Sequence, residues 1–499
     1  MKVIYISDSL GTPIHPRGIF NFSVGLVEIL KSEGAVVDLV VEGAANFGLE
    51  DRFGALHESA PEAVNSVRLA EIHRYFNQGR FGFRWGYRTP RIRYLAQRSR
   101  PFIAAWLKFR ERTGYRPLVV VRNDLLQLDF VPAKSEHLSL FDHLVVKRGF
   151  YSSSMSRANL GLPPPSIDVS GYDLAIVDTP HFIRIEGIEA RQIMTVVHDL
   201  IPLRDPTMDV NWRHLFMRKL DATLSMRGAM VFVSRYTQRA FAAAFPHHKA
   251  SRQFIFHPAI RAKLMQEAAA PTVARSLSEL LLFGGEARPQ TEDAPADAKK
   301  TKLKSKKPRR AAAARYRPPA GLDPALPYFV TATSDEPRKN IAAVARAFAQ
   351  YLRGRANIVI LGEIDVRRYD LDDAANVYFA GYVSDARKVD FFRAARGIVF
   401  ASLSEGFGIP IVEGAVMDLP VLCSDIEVFR EVAGDDALYF DPRQPASLAH
   451  AVETALADPE ATKARAAALR RSVLDRFSQA AVGRNVRGAL LELGLTRGA

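Results

Sequence analysis

Cysteine is almost missing from this sequence: Cys423 is the single one in 499 residues. One thiol makes no internal disulfide framework and no Cys-rich zinc site, and it fits a reducing compartment. Long apolar runs are missing too, since none approaches the ~18 residues that a bilayer-spanning helix needs. The opening residues 1–11, MKVIYISDSLG, hold an apolar run too short for a signal peptide, which reads as a buried strand. Compositional bias is absent as well. Hydrophobic residues make up 48% and charged residues 24%, ordinary globular usage that excludes a wholly disordered chain. The length suggests two to four domains. These absences together lead to the expectation of a soluble, cytoplasmic, multidomain protein.

Charge is present, and it is local. The net charge is +14. Residues 299–310 (KKTKLKSKKPRR) carry eight cations and no acid, and residues 74–116 carry twelve Lys and Arg against one acid, Glu111. The remainder of the chain is therefore slightly acidic, and the basicity says little about the body of the protein.

Along the chain, short continuous apolar runs alternate with helix-period stretches. Strands are expected at 3–7, 36–41, 118–121, 174–177, 194–198, 230–234 and 254–257, with helices at 18–34, 211–227 and 235–244. A second set follows. Its strands are expected at 328–333, 357–361, 377–380, 398–401, 421–424 and 437–440, its helices at 341–353, 385–396, 409–417, 426–432 and 447–456. Runs without polar alternation suit strands buried on both faces, as in a parallel sheet covered by helices. Residues 266–320, rich in Ala, Pro, Lys and Arg, read as a flexible basic insertion. The expected division is an N-terminal Rossmann-like domain over 1–265, this linker over 266–320, a C-terminal domain over 321–477 and a terminal helix over 478–499 that crosses back to the N-terminal domain. Doubly wound sheets bind ligands beyond the carboxyl ends of their strands, so two facing domains would share a central cleft.

The chemistry concentrates in residues 402–420, SLSEGFGIPIVEGAVMDLP. A strand end is followed by the Gly-bracketed turn Glu405-Gly406-Phe407-Gly408. Pro410 then stands near the first position of a helix, where proline is tolerated. Free N–H groups at a helix start favour an anion, and Gly406 and Gly408 let backbone approach a ligand. Glu405 and Glu413 would repel a phosphate, so they are expected to face hydroxyl groups. A sugar nucleotide offers both, an anionic diphosphate flanked by a sugar and a ribose.

This run resembles the Glu-x7-Glu motif of the retaining glycosyltransferases of family 4, and the stretch TATSDEPRKN (331–340) is similar to the same family's E-P-R-K-N segment. The resemblance implies the α/β GT-B fold, two doubly wound Rossmann-like domains facing a cleft. It implies that Arg338 and Lys339 contact the donor diphosphate, that Glu405 holds sugar hydroxyls, and that Glu413 holds the ribose. Arg is bidentate toward phosphate and Lys is a point charge. Thr333 stands where many members carry Arg. The loop FAGYVSD (379–385) resembles the family's nucleobase loop, giving Gly381, Tyr382 and Val383 as donor-binding residues. His198, in VHDLIP (197–202), resembles a crevice histidine that bonds the donor sugar, and Gly18, after Arg17 in place of a usual glycine, resembles the phosphate-facing loop between first strand and first helix. Ser234 and Thr237 read as a helix cap.

The implied activity is retaining transfer of a hexose, best mannose from GDP-mannose, to a hydroxyl of a glycan or polyprenyl-linked acceptor in bacterial O-antigen or exopolysaccharide assembly. The alternatives are a UDP-sugar-dependent glucosyl- or galactosyltransferase and, more distantly, a nucleic-acid-binding protein acting through its basic runs. No cofactor is expected. No metal is expected either, Asp370-Leu371-Asp372 reading as a solvated loop. The twelve cations of 74–116 interleave with eleven aromatic residues, which fits contact with an anionic membrane or lipid-diphosphate acceptor as well as a helical insertion with an aromatic core. No specific nucleic-acid partner is expected.

Overall fold

The structure is a computed structural model, and it describes residues 1–12, 17–42, 119–122, 136–147, 150–205, 207–248, 252–270, 276–282, 322–369 and 374–495. The basic stretches 74–116 and 299–310 and the tripeptide 370–372 lie outside the described residues. The chain divides into two compact units. One comprises residues 1–259 and 479–499, the other residues 260–478.

The first unit is built on a sheet of eight strands. They are β1 (Lys2–Ile6), β2 (Val36–Val41), β3 (Val119–Arg122), β4 (His143–Val146), β6 (Leu174–Val177), β8 (Ile193–Val197), β9 (Ala229–Phe232) and β10 (Gln253–Ile255), while β5 (Ser166–Asp168) and β7 (Arg184–Glu186) form a separate pair. The order is β10-β9-β8-β6-β1-β2-β4-β3. All neighbours are parallel except β3, which runs antiparallel to β4 at the edge. Val3, Ile4, Tyr5 and Ile6 in the centre are wholly buried, which is why the central strands show no polar alternation. The helix Arg17–Ser32 covers one face, and the terminal helix Gln479–Glu492 packs on it, with Gln479 bonded to Glu28 and Arg487 to Glu33.

The sequence pattern suggested no element between 122 and 173, where the structure has β4, the helix Phe150–Leu160 and β5. That helix, FYSSSMSRANL, has no apolar stripe to read. Its first residues, Phe150 and Tyr151, still join the core with Ile4, Ile6 and Val40, and polar ties add to that packing: Tyr151 Oη donates to the Val40 carbonyl at 3.0 Å and Ser154 Oγ to the Phe182 carbonyl at 2.9 Å.

The second unit has six strands, all parallel, in the order β13-β12-β11-β14-β15-β16. They are β11 (Tyr328–Ala332), β12 (Asn357–Leu361), β13 (Val377–Gly381), β14 (Gly397–Phe400), β15 (Val421–Ser424) and β16 (Leu438–Phe440). One core cluster joins Phe329, Ile358, Ile360, Val399 and Leu422 of the sheet to Phe348 and Val452 of the helices Ile341–Tyr351 and Pro445–Ala457.

The expectation of a flexible stretch from 266 onward needs correction. Helices occupy Ala262–Ala269 and Leu277–Leu282, both within the second unit. Leu277 and Leu280 are buried. Arginines cover the carbonyls that these helix ends leave unpaired: Arg393 bonds the carbonyls of Glu267 and Ala270, and Arg387 the Leu280 carbonyl at 2.7 Å. Among the described residues no helix is long and apolar enough to cross a membrane.

Candidate functional site

In the second sheet the chain runs outward from β11 through β12 to β13, then returns to place β14 on the opposite side of β11. At such a switch point the loops leaving the two central strands diverge and open a crevice. The loop after β11 carries Arg338 and Lys339, and the loop after β14 carries Glu405. Backbone and side chain tie the loops together. Leu403 N donates to the Arg338 carbonyl at 2.7 Å, and Arg338 Nη1 reaches the Ser404 carbonyl at 3.3 Å. Pro337–Lys339 is a 3-10 turn that ends at Asn340, which sits in the left-handed region (φ 56°, ψ 38°), and Asn340 Nδ2 donates to the Pro442 carbonyl at 2.7 Å. Asparagine is one of the few residues that adopts this conformation readily, so Lys339 is aimed by a turn that the local sequence prefers.

Glu405 is held on three sides. Arg338 Nη1 lies 2.9 Å from Oε2, Lys339 Nζ 2.5 Å from Oε1, and Ser402 Oγ donates to Oε1 at 2.8 Å. Burial pushes the carboxyl pKa up, but the charges of Lys339 and Arg338 and their hydrogen bonds outweigh it, and the group lies below its usual value. Lys339 and Glu405 line a depression together with Thr333, Ser402, Gly408 and Ile411. Arg338 stands behind them and also pairs with Glu336, through Nε at 2.9 Å and Nη2 at 2.8 Å.

Gly408 has φ +120°, and a Cβ there would meet the Phe429 ring at 3.0 Å, so both backbone freedom and close approach require glycine. It caps the helix Ile409–Val416, with Pro410 in its first turn. Phe407 is buried with its ring edge-on to Phe477 (5.2 Å, 82°), and Gly406 is buried beside it. Glu413, one turn into the helix, lies 3.2 Å from Lys388 of the helix Asp385–Ala394. Gly381 (φ +73°), Tyr382 and the buried Val383 leave the carboxyl end of β13, the same edge of the sheet, and the Gly381 carbonyl accepts from Gly362 N at 2.8 Å.

Gly18 and His198 belong to the first unit. Gly18 is exposed in the first turn of Arg17–Ser32. His198 follows β8, half-buried, with its ring edge-on to Phe22 at 4.9 Å. Its Nε2 lies 2.8 Å from the Asp178 carbonyl. A carbonyl only accepts, so Nε2 carries the hydrogen and Nδ1 is the acceptor. Desolvation lowers the pKa to about 4, against a weaker opposing effect of that bond, so the ring is neutral at pH 7. Ser234 Oγ accepts from Thr237 N at 3.0 Å and caps the helix Arg235–Ala244.

Several charged groups escaped the sequence reading. Lys388 and Glu336 contact Glu413 and Arg338, respectively. Asp8, Asp178 and His181 bring metal-ligating atoms to within 4.8 Å of one another, although no metal-ligating group was expected. Their separation in sequence hid them, and the available signal was D-x-x-H (178–181) directly after the buried strand β6.

Residues 314–471 match the family model of the glycosyl transferases group 1. The matched segment contains Arg338, Lys339, Glu405 and Glu413. Serotype-specific mannosyltransferase WbdA of Escherichia coli is 34% identical over 143 residues, 27% of this chain and 18% of that protein. O-antigen chain mannosyltransferase B of Escherichia coli is 34% identical over 117 residues, 21% of this chain and 31% of that protein. This chain thus spans under a third of the length of these relatives. Sucrose-phosphate synthase of Thermosynechococcus elongatus has a similar structure, with a TM-score of 0.51 at 13% identity over 99% of both chains. The fold is α/β with two largely parallel sheets, that of the GT-B glycosyltransferases.

Proposed function

We propose that this protein is a retaining glycosyltransferase that moves mannose from GDP-mannose to a hydroxyl of a glycan or polyprenyl-linked glycan in bacterial surface-polysaccharide assembly. The reading rests on Lys339 and Arg338 converging on Glu405 at the switch point of the second sheet. The mannosyltransferases named above favour mannose over glucose or galactose.

In the reaction the bond between the anomeric carbon and the diphosphate oxygen breaks, and a bond to the acceptor oxygen forms on the same face. The acceptor proton passes to the departing phosphate oxygen. Negative charge grows on the diphosphate, and preorganised cations at that position lower the barrier. Lys339 lines the depression and meets the diphosphate first. Arg338 joins by releasing Glu336, its more exposed partner. Glu405, kept ionised, holds sugar hydroxyls and stabilises positive charge on the ring. Glu413 takes the ribose hydroxyls, with Lys388 orienting it. His198 Nδ1 accepts from a sugar hydroxyl, in keeping with its neutral ring. We place the reaction in the cytoplasm, with 74–116 as the contact to anionic membrane, which flotation with anionic vesicles tests.

A thermal-shift series with GDP-, UDP- and dTDP-sugars tests the donor. Selective stabilisation by GDP-mannose with release of free GDP is the expected result. Stabilisation by UDP-glucose alone moves the assignment to a glucosyltransferase, and indifference to every sugar nucleotide sinks it.

A further inference from the structure

The first sheet has a switch point of its own. The chain goes from β1 to β2 and β4 on one side, then returns to put β6 on the other side of β1. Asp8 follows β1 by two residues, and Asp178 and His181 follow β6. His181 Nε2 lies 3.7 Å from Asp178 Oδ1 and 3.9 Å from Asp8 Oδ1.

Asp178 is wholly buried and His181 nearly so, yet Asp178 Oδ1 and His181 Nε2 have no hydrogen-bond partner among the described residues. Leaving such atoms unpaired in the interior is costly. The other carboxylate oxygen, Oδ2, is saturated. It accepts from Ser7 Oγ, from Ser9 Oγ at 3.0 Å and from Ser23 Oγ at 3.2 Å. The serines therefore fix the carboxylate and turn Oδ1 toward His181, as outer hydrogen bonds do for metal-binding carboxylates. Asp8, partly exposed, supplies the third oxygen and the opening to solvent, while its Oδ2 is 3.8 Å from Lys219 Nζ.

We propose that Asp8, Asp178 and His181 bind a divalent transition-metal ion, Zn2+ fitting best. One imidazole and two carboxylates suit zinc better than calcium or magnesium, which prefer all-oxygen sets. Ligand bonds of about 2.0–2.2 Å in a tetrahedron place donor atoms roughly 3.3–3.6 Å apart, a few tenths of an ångström inside the two separations from His181, and rotation of the partly exposed Asp8 carboxylate would bring in the third pair, which lies within 4.8 Å. Three protein ligands leave the fourth position to a water or a ligand oxygen.

The test uses the full chain, stripped with EDTA and titrated with ZnCl2 by calorimetry and thermal shift. One equivalent should bind and stabilise the protein. Cobalt(II) in the same site should give the visible absorption of a tetrahedral ion. Asp8→Ala, at a partly exposed position that should not disturb folding, should weaken zinc binding roughly tenfold or more, on the scale seen when metal shells are disrupted. His181→Gln should do the same, and Lys219→Met should tighten binding by removing a competing charge. Zinc uptake unchanged in Asp8→Ala, no saturable one-to-one binding, or stabilisation by Mg2+ but not Zn2+ overturns the proposal.

Discussion

The two sheets of this chain present opposite chemistry at equivalent places. Each reverses its strand order beside its first strand, and each gathers charged side chains on the loops that leave there. In the second unit the group is built around two cations, Arg338 and Lys339, with Glu405 between them. In the first it is built around two carboxylates, Asp8 and Asp178, with His181 between them. Topology supplies the opening, and the side chains at the strand ends set the charge it presents. Satisfaction differs too. Both Glu405 oxygens have partners, whereas Asp178 turns an unpartnered oxygen to His181.

Glu405→Ala attacks this contrast most strongly. Transfer should fall to background, measured as nucleotide release from the sugar donor. The substitution also leaves two cations side by side, which should cost about 1–3 kcal/mol, seen in denaturant titration. Arg338→Ala or Lys339→Ala should lower kcat/KM by roughly 10²–10³-fold. Wild-type turnover in either would remove the anion-binding half of the comparison. Gly408→Ala forces a side chain into a positive-φ position and against Phe429. It should destabilise the second unit by about 1–3 kcal/mol, visible as a lower Tm.

Acid supplies a graded probe. The pKa of Glu405 is depressed in the folded protein, so its contribution is complete above the unfolded value of about 4.5 and disappears as pH falls through the lower, folded one. Glu405→Gln should therefore flatten the acid limb of the stability profile; an unaltered limb would mean the ion pairs contribute nothing. The smallest effect belongs to Glu336→Gln, which frees Arg338 from an exposed partner. Such a pair is worth about 0–1 kcal/mol, so the donor KM should drop by at most about fivefold with kcat unchanged.

The central strands were legible because burial on both faces removes polar residues from them, and the runs at 36–41, 174–177 and 421–424 coincide with strands of the structure. The loop residues of the second sheet were legible because E-G-F-G-x-P, with its glycines and proline, obeys local backbone rules. What remained hidden depends on contacts distant in sequence. The edge strand β3 reads as apolar, but nothing local says that it runs antiparallel to β4. Lys388 and Glu413 are on different helices, and Asp8 and Asp178 are brought together by parallel pairing of β1 with β6.

The Phe407 ring stands edge-on to Phe477, the last residue of the helix Pro459–Phe477, whose carbonyl also accepts from Ile260 N at 2.8 Å. Both residues fall outside the 314–471 segment that carries the family likeness. A fragment trimmed to that segment would lose the wall supporting its own Glu405–Gly408 turn, so the smallest piece worth expressing alone runs from residue 260 to residue 478.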